Sequence, residues 1–409
     1  MKRLVIELMT SQTTKNKPHF GAVFNMIVSR KLIEDYQNIT DIEVILKENM
    51  KTDDDFQIFL SSSKVKVNIV RHTSDITGIL SNEPNTLYFS PMNLHGFEFL
   101  PGSVKSISVV HDIRDFVIYS TASQNLENEK LYYSVNKYNS INDLTAYLLS
   151  HSSPRLYGRV MQHRGNKWIG KFLGRLEKAD GIIFNSLATQ ERVRSIGSTE
   201  LKGKEIEVIY PPVNRTKTFN SGVPCENVPE NFFLMLSASR KEKNLYTVLG
   251  GFWEYCSMGD DNPFSLVLTG TTPQLARYIK RNFDYSDRII CIPYTSQEMV
   301  DQLISNSVAL LMPSIDEGFG HPVMEAMNAG IPVVCSDIPI FREIGDGYSI
   351  FFKHKDSRML SEILLTLSES KFGRDHYSNT NVKHGMWYKN ESDARLEKIS
   401  KFVLGLLRE

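Results

Sequence analysis

Thirteen short runs of apolar residues, rich in Val, Ile and Phe, recur along the chain, and each is followed by a turn and a longer amphipathic stretch. The apolar residues are continuous rather than alternating, which is typical of strands covered on both faces in a parallel sheet. Strands that alternate with helix-length segments indicate βαβ units and an α/β fold. The predicted strands are 4–8, 42–46, 65–70, 87–89, 107–110, 182–184 and 206–210, then 232–236, 264–268, 289–292, 308–312, 333–335 and 350–352.

The two series of strands indicate two doubly wound, Rossmann-like domains that face a central cleft. A chain of 409 residues is longer than one hydrophobic core usually serves, which also favours two domains. Residues 211–229 contain Pro, Asn and Gly without periodicity, and we place the linker there. The predicted domains are therefore 1–215 and 228–386, with ligands bound at the carboxyl ends of the strands.

The composition excludes several classes of protein. Lys+Arg and Asp+Glu number 47 each, so a global positive field for nucleic acid is absent and no nucleic acid partner is predicted. The N-terminal apolar run is too short for a signal peptide, and no run approaches the roughly 18 apolar residues of a membrane-spanning helix. The four cysteines, Cys225, Cys256, Cys291 and Cys335, form no CxxC pair, which favours reduced thiols over zinc. A cytoplasmic enzyme fits these features best.

Two stretches of the first half depart from the alternating pattern. Residues 120–153 are polar and rich in Asn, Ser and Tyr, which predicts a long irregular excursion over the surface. Residues 155–178 carry basic side chains three or four apart, which predicts a basic amphipathic helix. That helix either presents a solvated face or docks on an anionic membrane surface with Trp168 and Phe172 at the interface.

A glycine turn in the second half predicts an anion site. The buried strand 308–312 is stopped by Pro313, and Gly318 and Gly320 follow within a short loop. Pro322 suits the first position of a helix that continues to Asn328. Unpaired N–H groups and the helix dipole both favour a negative charge at such a helix N-terminus.

Two glutamates, Glu317 and Glu325, flank this turn. A carboxylate can accept hydrogen bonds from two neighbouring hydroxyls, as acidic residues do for the ribose of nucleotides. Either glutamate alone is also compatible with a simpler role, Glu325 as a partner of the helix dipole and Glu317 as a solvated loop residue. The combination with Gly-Phe-Gly at this spacing favours a ligand site.

The segment from Glu317 to Glu325, Glu-Gly-Phe-Gly-His-Pro-Val-Met-Glu, resembles the Glu-x7-Glu signature of retaining family-4 glycosyltransferases of GT-B fold, also called glycosyl transferases group 1. Neighbouring segments agree in order, among them Ser239 to Asn244 and Ser336 to Gly345. The resemblance is strong over 232–352. It implies an acceptor-binding N-terminal domain, a donor-binding C-terminal domain, and a helix at about 387–409 that crosses back to the N-terminal domain.

In the C-terminal domain, the resemblance implies that Glu325 binds the ribose hydroxyls and Glu317 contacts the donor sugar. The backbone N–H groups of Gly318, Phe319 and Gly320 would approach the sugar and the phosphates. The strand-end segment that contains Tyr294 would also border the nucleotide.

Arg240 and Lys243 would neutralise the diphosphate as it leaves, because fixed cations there stabilise the charge that develops. No metal and no other cofactor are then expected. The family usually spaces its Arg and Lys further apart, so Lys241 is an alternative member of the pair. Without the resemblance, this cluster also reads as a solvated basic turn.

In the N-terminal domain, the resemblance implies that His111, which ends a strand as His-Asp, contacts the donor sugar. Gly21 occupies the place of the family's phosphate-binding glycine loop, although the usual second glycine is missing. No dedicated nucleophile is recognisable. We therefore predict front-face attack assisted by the leaving phosphate rather than a covalent intermediate.

The predicted function is the retaining transfer of a hexose from a nucleotide-diphosphate sugar to a saccharide or lipid-linked acceptor in bacterial surface polysaccharide synthesis. The Ser-Arg-Lys-Glu-Lys-Asn segment resembles that of mannosyltransferases, which favours GDP-mannose as donor. A sugar-nucleotide 2-epimerase of GT-B fold and a catalytically inactive nucleotide-sugar-binding partner remain alternatives. A nicotinamide dehydrogenase and a P-loop enzyme are excluded, because GxGxxG and GxxxxGK[ST] are both absent.

Overall fold

Two compact units make up the computed structural model, which describes residues 2–12, 20–50, 52–81, 85–136, 140–212, 228–258 and 263–408. Unit 1 consists of Met1–Ile113, Trp168–Arg215 and Lys389–Glu409, and unit 2 of Arg114–Lys167 and Thr216–Tyr388. Each unit is built around one parallel sheet.

The sheet of unit 1 has seven strands in the order β3-β2-β1-β4-β5-β6-β7, all parallel. The change of direction on either side of β1 is that of a doubly wound sheet. The strands are β1 (Arg3–Glu7), β2 (Asp41–Lys47), β3 (Val65–Val70), β4 (Thr86–Ser90), β5 (Lys105–Val110), β6 (Gly181–Phe184) and β7 (Glu205–Val208).

Helices cover the sheet of unit 1 and complete its hydrophobic core. They are α1 (Phe20–Tyr36), α2 (Asp54–Ser62), α3 (Ile76–Leu80), α8 (Leu187–Gly197) and α16 (Ser392–Arg408). Side chains of β1, α1 and α16, such as Ile6, Phe24 and Val403, are fully buried together. The C-terminal helix is therefore part of the core of unit 1.

The sheet of unit 2 has six parallel strands in the order β10-β9-β8-β11-β12-β13. Its two central strands, β8 and β11, are buried at every position. The strands are β8 (Phe232–Met235), β9 (Ser265–Leu268), β10 (Ile289–Cys291), β11 (Ala309–Met312), β12 (Val333–Ser336) and β13 (Ile350–Phe352).

The helices of unit 2 come from two parts of the chain. The earlier part supplies α4 (Arg114–Thr121), α5 (Leu126–Val135) and α6 (Ile141–Ser152). The later part supplies α9 (Leu245–Ser257), α10 (Pro273–Asn282), α11 (Gln297–Asn306), α12 (His321–Asn328), α13 (Pro339–Gly345), α14 (Ser357–Glu369) and α15 (Lys371–Asn390). Helix α7 (Pro154–Leu176) begins in unit 2 and ends in unit 1.

Every predicted strand is confirmed to within two residues at each end, and so is the basic helix at 155–178. The prediction of an irregular excursion over 120–153 is wrong, because most of that stretch forms α5 and α6. Its helices were hidden by polar residues that point inward: Asn128 and Glu129 of α5 are buried. We call residues 114–167 the helical insert.

The two units are not separated at a single position in the sequence. The helical insert groups with unit 2, whereas residues 389–409 group with unit 1. The predicted linker falls largely on 213–227, which lie outside the described residues, as does Cys225. Cys256, Cys291 and Cys335 are free thiols, and burial raises the pKa of each.

Candidate active site in unit 2

The turn between β8 and α9 is fixed to the end of β11 by hydrogen bonds. It runs from Arg240 to Asn244, and Asn244 adopts a left-handed conformation with φ 54°. The side-chain amide of Asn244 donates to the carbonyl of Pro313 at 3.2 Å, and Ile315 N–H donates to the carbonyl of Glu242 at 2.8 Å. The basic turn and the loop after β11 are therefore held at one edge of the sheet. We call residues 240–244 the basic turn.

Glu317 and Lys243 meet at this edge in a buried ion pair. Lys243 Nζ lies 2.5 Å from Oε1 of Glu317, and Ser314 Oγ donates to the same oxygen at 2.9 Å. Only 6% of the Lys243 side chain and 8% of the Glu317 side chain are exposed. A solvated loop position for Glu317 is therefore excluded.

Electrostatics keep the Glu317 carboxylate ionised. Burial by itself raises the pKa of a carboxyl group. The charges of Lys243 and Arg114, with hydrogen bonds from Lys243 and Ser314, outweigh burial and lower the pKa of Glu317 to about 2. The carboxylate is consequently a hydrogen-bond acceptor at any physiological pH, which suits a contact with sugar hydroxyls.

A second carboxylate, Glu242, links two guanidinium groups beside the Lys243–Glu317 pair. Its Oε1 lies 3.2 Å from Nη1 of Arg114 and also pairs with Arg240. Nη1 of Arg114 is also 3.6 Å from Oε2 of Glu317. The Arg240 side chain is 44% exposed, so of the three cations it is the one most open to an incoming anion.

Lys241, the alternative cation of the basic turn, points elsewhere. Its ammonium lies 2.5 Å from Oε2 of the buried Glu129 and sits over the rings of Tyr132 and Tyr133 at 5.8 Å and 5.1 Å. The structure therefore brings Lys243, and not Lys241, to Glu317.

The glycine turn has the local geometry that the sequence predicts. Gly320 has φ +90°, and a Cβ there would lie 2.7 Å from the ring of Phe341, so only glycine fits. Helix α12 follows with Pro322 in its first turn, and it ends before Gly330, which has φ +72°. Phe319 is 3% exposed and stacks on Tyr388, so its side chain packs inward.

Glu325 lies on α12, which follows the glycine turn, whereas Tyr294 lies after β10, which β9 and β8 separate from β11. Glu325 is partly buried in α12. Tyr294 follows β10 and is 62% exposed. Its ring is 3.3 Å from where a Cβ on Gly270 would lie, and Gly270 follows the neighbouring strand β9. An exposed aromatic ring at the carboxyl ends of β9 and β10 suits stacking on a nucleobase.

The two site residues predicted in the N-terminal half lie in unit 1. His111 is 7% exposed, its Nε2 lies 2.8 Å from the carbonyl of Pro91, and its ring packs edge-on against Phe24 at 4.7 Å. The bond to a carbonyl requires a proton on Nε2. Gly21 belongs to the first turn of α1 rather than to the loop before it, and its phosphate contact stays a prediction. Residues 13–19, which precede α1, lie outside the described residues.

Sequence reasoning missed three charged residues that the structure adds to the site region: Arg114, Glu129 and Glu242. Glu242 carried a signal, because it stands between Arg240 and Lys243 in the basic turn. Arg114 and Glu129 gave none, since their partners are more than a hundred residues away. Among the described residues, no group of three or more His, Cys, Asp or Glu is placed to hold a metal ion.

Part of the chain is similar in sequence to known glycosyltransferases. Residues 217–384 match the family described as glycosyl transferases group 1. The O-antigen chain mannosyltransferase RfbU of Salmonella typhimurium is 26% identical over 188 residues, which are 45% of this chain and 51% of RfbU. This chain thus spans about half the length of that relative.

Solved structures extend the likeness to the whole chain. Sucrose-phosphate synthase from Thermosynechococcus elongatus superposes with a TM-score of 0.69 at 10% identity, covering 100% of both chains. Anabaena HepE in complex with UDP and glucose superposes with a TM-score of 0.59 at 14% identity, again over 100% of both chains. The chain therefore has the GT-B fold, and its residues 217–384 are similar to the glycosyl transferases group 1 family.

Proposed function

We propose that this protein is a retaining glycosyltransferase that moves a hexose from a nucleotide-diphosphate sugar to a saccharide or lipid-linked acceptor in O-antigen synthesis. One observation carries the proposal. A buried, ionised Glu317 lies beside the cations Lys243, Arg114 and Arg240 at the carboxyl edge of the unit 2 sheet. All of these except Arg114 lie in the segment that matches the group 1 family.

In the proposed chemistry, the carboxylates and the cations of this site have different roles. Glu317 accepts hydrogen bonds from hydroxyls of the donor sugar, and Glu325 accepts them from the ribose. Arg240 and Lys243 stabilise the leaving diphosphate. Positive groups that are already in place favour the transition state, because no reorganisation is needed as the charge develops. We infer on this basis that turnover needs no divalent metal. Activity that disappears with EDTA and returns with Mg²⁺ or Mn²⁺ would contradict this inference.

Retention is proposed to proceed by front-face attack assisted by the leaving phosphate. The carboxylate near the sugar, Glu317, is held by Lys243 and Ser314, which favours hydrogen bonding over nucleophilic attack. His111 is proposed to contact the donor sugar from unit 1. Mass spectrometry of the enzyme with donor alone tests this route, since a glycosyl-enzyme adduct requires a covalent intermediate instead.

GDP-mannose is the donor that we propose, since RfbU is named a mannosyltransferase and the basic turn resembles that of mannosyltransferases. A thermal-shift screen across UDP-, GDP- and ADP-sugars tests the choice. A ligand that binds the folded state raises the melting temperature in proportion to its occupancy. The correct donor should therefore stand out, and equal shifts from every nucleotide sugar would count against GDP-mannose.

Product analysis separates this function from its two alternatives. A transferase makes a glycosylated acceptor with the anomeric configuration of the donor retained. A 2-epimerase changes the donor without any acceptor, and a catalytically inactive partner binds donor but leaves it intact. The intact set of Glu317, Lys243 and Arg240 supports the first outcome.

Two substitutions test the division of the site. Glu325→Ala should raise the Kd for nucleotide about tenfold with a smaller effect on kcat. Lys243→Ala should mainly lower kcat, by roughly 100-fold, which is typical for loss of one preorganised charge-stabilising group. Titration calorimetry and steady-state kinetics measure both. Equal, small effects from the two variants would refute the assignment.

We further propose a cytoplasmic location with peripheral contact to an anionic membrane through the region that includes 155–178. Within the described residues, no helix is long and apolar enough to cross a bilayer. The expected interface residue Phe172 is buried, whereas Trp168, on which it stacks, is partly exposed. Exposed aliphatic side chains on α6, Ile141 (84%) and Leu148 (54%), are better placed.

Vesicle sedimentation tests the membrane contact. Helix α6 adjoins α7 through a hydrogen bond from Arg164 to the carbonyl of Asn142, and exposed Arg155 and Arg159 follow on α7. Charge reversal at these two arginines should abolish binding to vesicles with anionic lipid but not alter the weak binding to neutral vesicles. The matched control is charge reversal at exposed Arg194 and Lys202 of unit 1. Equal losses in both variants would oppose this docking surface.

A further inference from the structure

Arg114, the first residue of α4, connects the helical insert to the candidate donor site. Its guanidinium lies 3.2 Å from Glu242 and 3.6 Å from Glu317, and 21% of the side chain is exposed. The motifs that identified the site do not include it, since it lies outside both the basic turn and the glycine turn. Its charge nevertheless reaches the two carboxylates of the site.

The helical insert, which begins at Arg114, is attached to the basic turn that contains Glu242. Glu129 of α5 accepts a hydrogen bond from Tyr157 and pairs with Lys241 at 2.5 Å. Asn128 donates from its side-chain amide to the carbonyl of Lys241 at 2.8 Å. These contacts attach α5 to the basic turn and α7 to α5. The insert and the basic turn are therefore joined within unit 2.

The charges at the site explain what Arg114 does there. Arg240 already pairs with Glu242, and Lys243 with Glu317. Arg114 contacts one carboxylate of each pair, at Oε1 of Glu242 and Oε2 of Glu317. Without Arg114, the Oε2 atom of Glu317 would lose the cation that lies 3.6 Å away.

We infer that Arg114 is a positioning residue of the donor site, which orients the Glu317 carboxylate towards the hydroxyls of the donor sugar. This inference rests on the proposed function, because it requires that Glu317 contact the sugar. Arg114 thus acts through Glu317, whereas Arg240 and Lys243 act on the diphosphate. The insert, although it is remote in sequence from the donor loops, supplies part of donor recognition.

The inference separates sugar recognition from nucleotide recognition. Arg114→Gln should lower kcat/KM for the nucleotide sugar by about 10- to 100-fold, as expected when an oriented contact in the transition state is lost. The Kd for the free nucleoside diphosphate should change less than twofold. Arg114→Lys should recover part of the activity, because a charge returns without the fork geometry. The control is Arg194→Gln, at an exposed arginine of unit 1 that lies outside both proposed binding surfaces.

A double-mutant cycle decides whether Arg114 acts through Glu317. In a Glu317→Gln background, Arg114→Gln should have almost no further effect, since the group that it orients is already altered. Additive losses, or an equal loss of nucleoside diphosphate affinity, would overturn the inference while leaving the proposed function intact. If the wild-type protein neither binds nor turns over any nucleotide sugar in the screen, the proposed function fails, and this inference fails with it.

Discussion

At the scale of single residues, Glu317 is already ionised and paired with cations before any ligand binds. Its partners Lys243 and Ser314 hold one oxygen, and Arg114 lies near the other. A buried carboxylate costs free energy unless it is paired and hydrogen-bonded. Lys243, which neutralises Glu317 in the absence of ligand, is also one of the two cations proposed to face the diphosphate.

This pairing predicts a pH-dependent contribution of Glu317 to stability. The pKa of Glu317 is lowered from 4.5 to about 2, so the contribution is fully present above about pH 4.5 and is lost as the pH falls towards 2. A shift of that size corresponds to about 3 kcal/mol. Glu317→Gln should therefore lower the free energy of unfolding at pH 7 by more than at pH 3.5, as measured by urea denaturation.

The control for this pH dependence is Glu230→Gln, at an exposed position. It should leave the free energy of unfolding unchanged within about 0.5 kcal/mol at both pH values. A Glu317→Gln effect that stayed constant down to pH 3 would mean that the carboxylate is not held ionised by its neighbours.

Gly320 provides a test of the glycine turn, and Gly347 serves as its control. An alanine at Gly320 would be strained at φ +90° and would also meet Phe341 at 2.7 Å. An alanine at Gly347 would be strained at φ +79° but would meet nothing within 4 Å. The left-handed conformation costs roughly 1–2 kcal/mol in each, and the clash adds roughly 1–3 kcal/mol at Gly320 alone. Thermal unfolding should rank Gly320→Ala clearly below Gly347→Ala, and equal values would exclude the clash.

At the scale of secondary structure elements, the strands were predictable and the helical insert was not. Strands such as β8 and β11 are buried on both faces, so they read as continuous apolar runs whatever surrounds them. Helices α5 and α6 instead bury polar side chains such as Asn128, Glu129 and Ser150. A pattern of hydrophobicity cannot reveal such helices, because their partners come from elsewhere in the chain.

The candidate site divides in the same way. Glu317, Gly320 and Lys243 lie in loops that follow buried strands, and their local sequence predicted them. Arg114 was not predicted, because its role depends on where the insert packs. The choice between Lys241 and Lys243 likewise required the position of Glu129. The family-4 assignment and the individual ligand contacts stay predictions.

Helix α5 yields a matched pair of substitutions. Glu129 is 1% exposed and pairs with Lys241, whereas Glu127, two residues away, is 52% exposed and pairs only with Lys130 among the contacts described. Removing one partner of a buried pair costs about 3–5 kcal/mol, and removing an exposed one costs ~0–1 kcal/mol. Glu129→Gln should lower the melting temperature by roughly 5–10 °C, as measured by calorimetry. A comparable loss of melting temperature from Glu127→Gln would show that burial of the ion pair does not determine its contribution to stability.

At the scale of the whole molecule, the chain enters each unit more than once. Residues 389–409 return to unit 1, where α16 completes the hydrophobic core. Tyr36 of α1 donates to the carbonyl of Ser400 at 3.0 Å, and the Ser400 hydroxyl bonds back to Tyr36. The candidate site around Glu317, in contrast, is built from residues of unit 2. Stability of unit 1 and ligand affinity of unit 2 should therefore respond to different substitutions.

Leu406 of α16 tests this separation. The side chain is 6% exposed, and its Cδ1 atom lies 3.2 Å from where a Cβ on Gly181 of β6 would be. Leu406→Ala should destabilise unit 1 by about 2–5 kcal/mol. Hydrogen exchange should then accelerate in peptides of β1, β4 and β6 and not in those of β8, β11 and β12, because unfolding proceeds in cooperative units. The Kd for nucleotide should stay within twofold. Leu148→Ala, at an exposed leucine, should change neither quantity, and equal acceleration of both sheets by Leu406→Ala would mean that they unfold as one cooperative body.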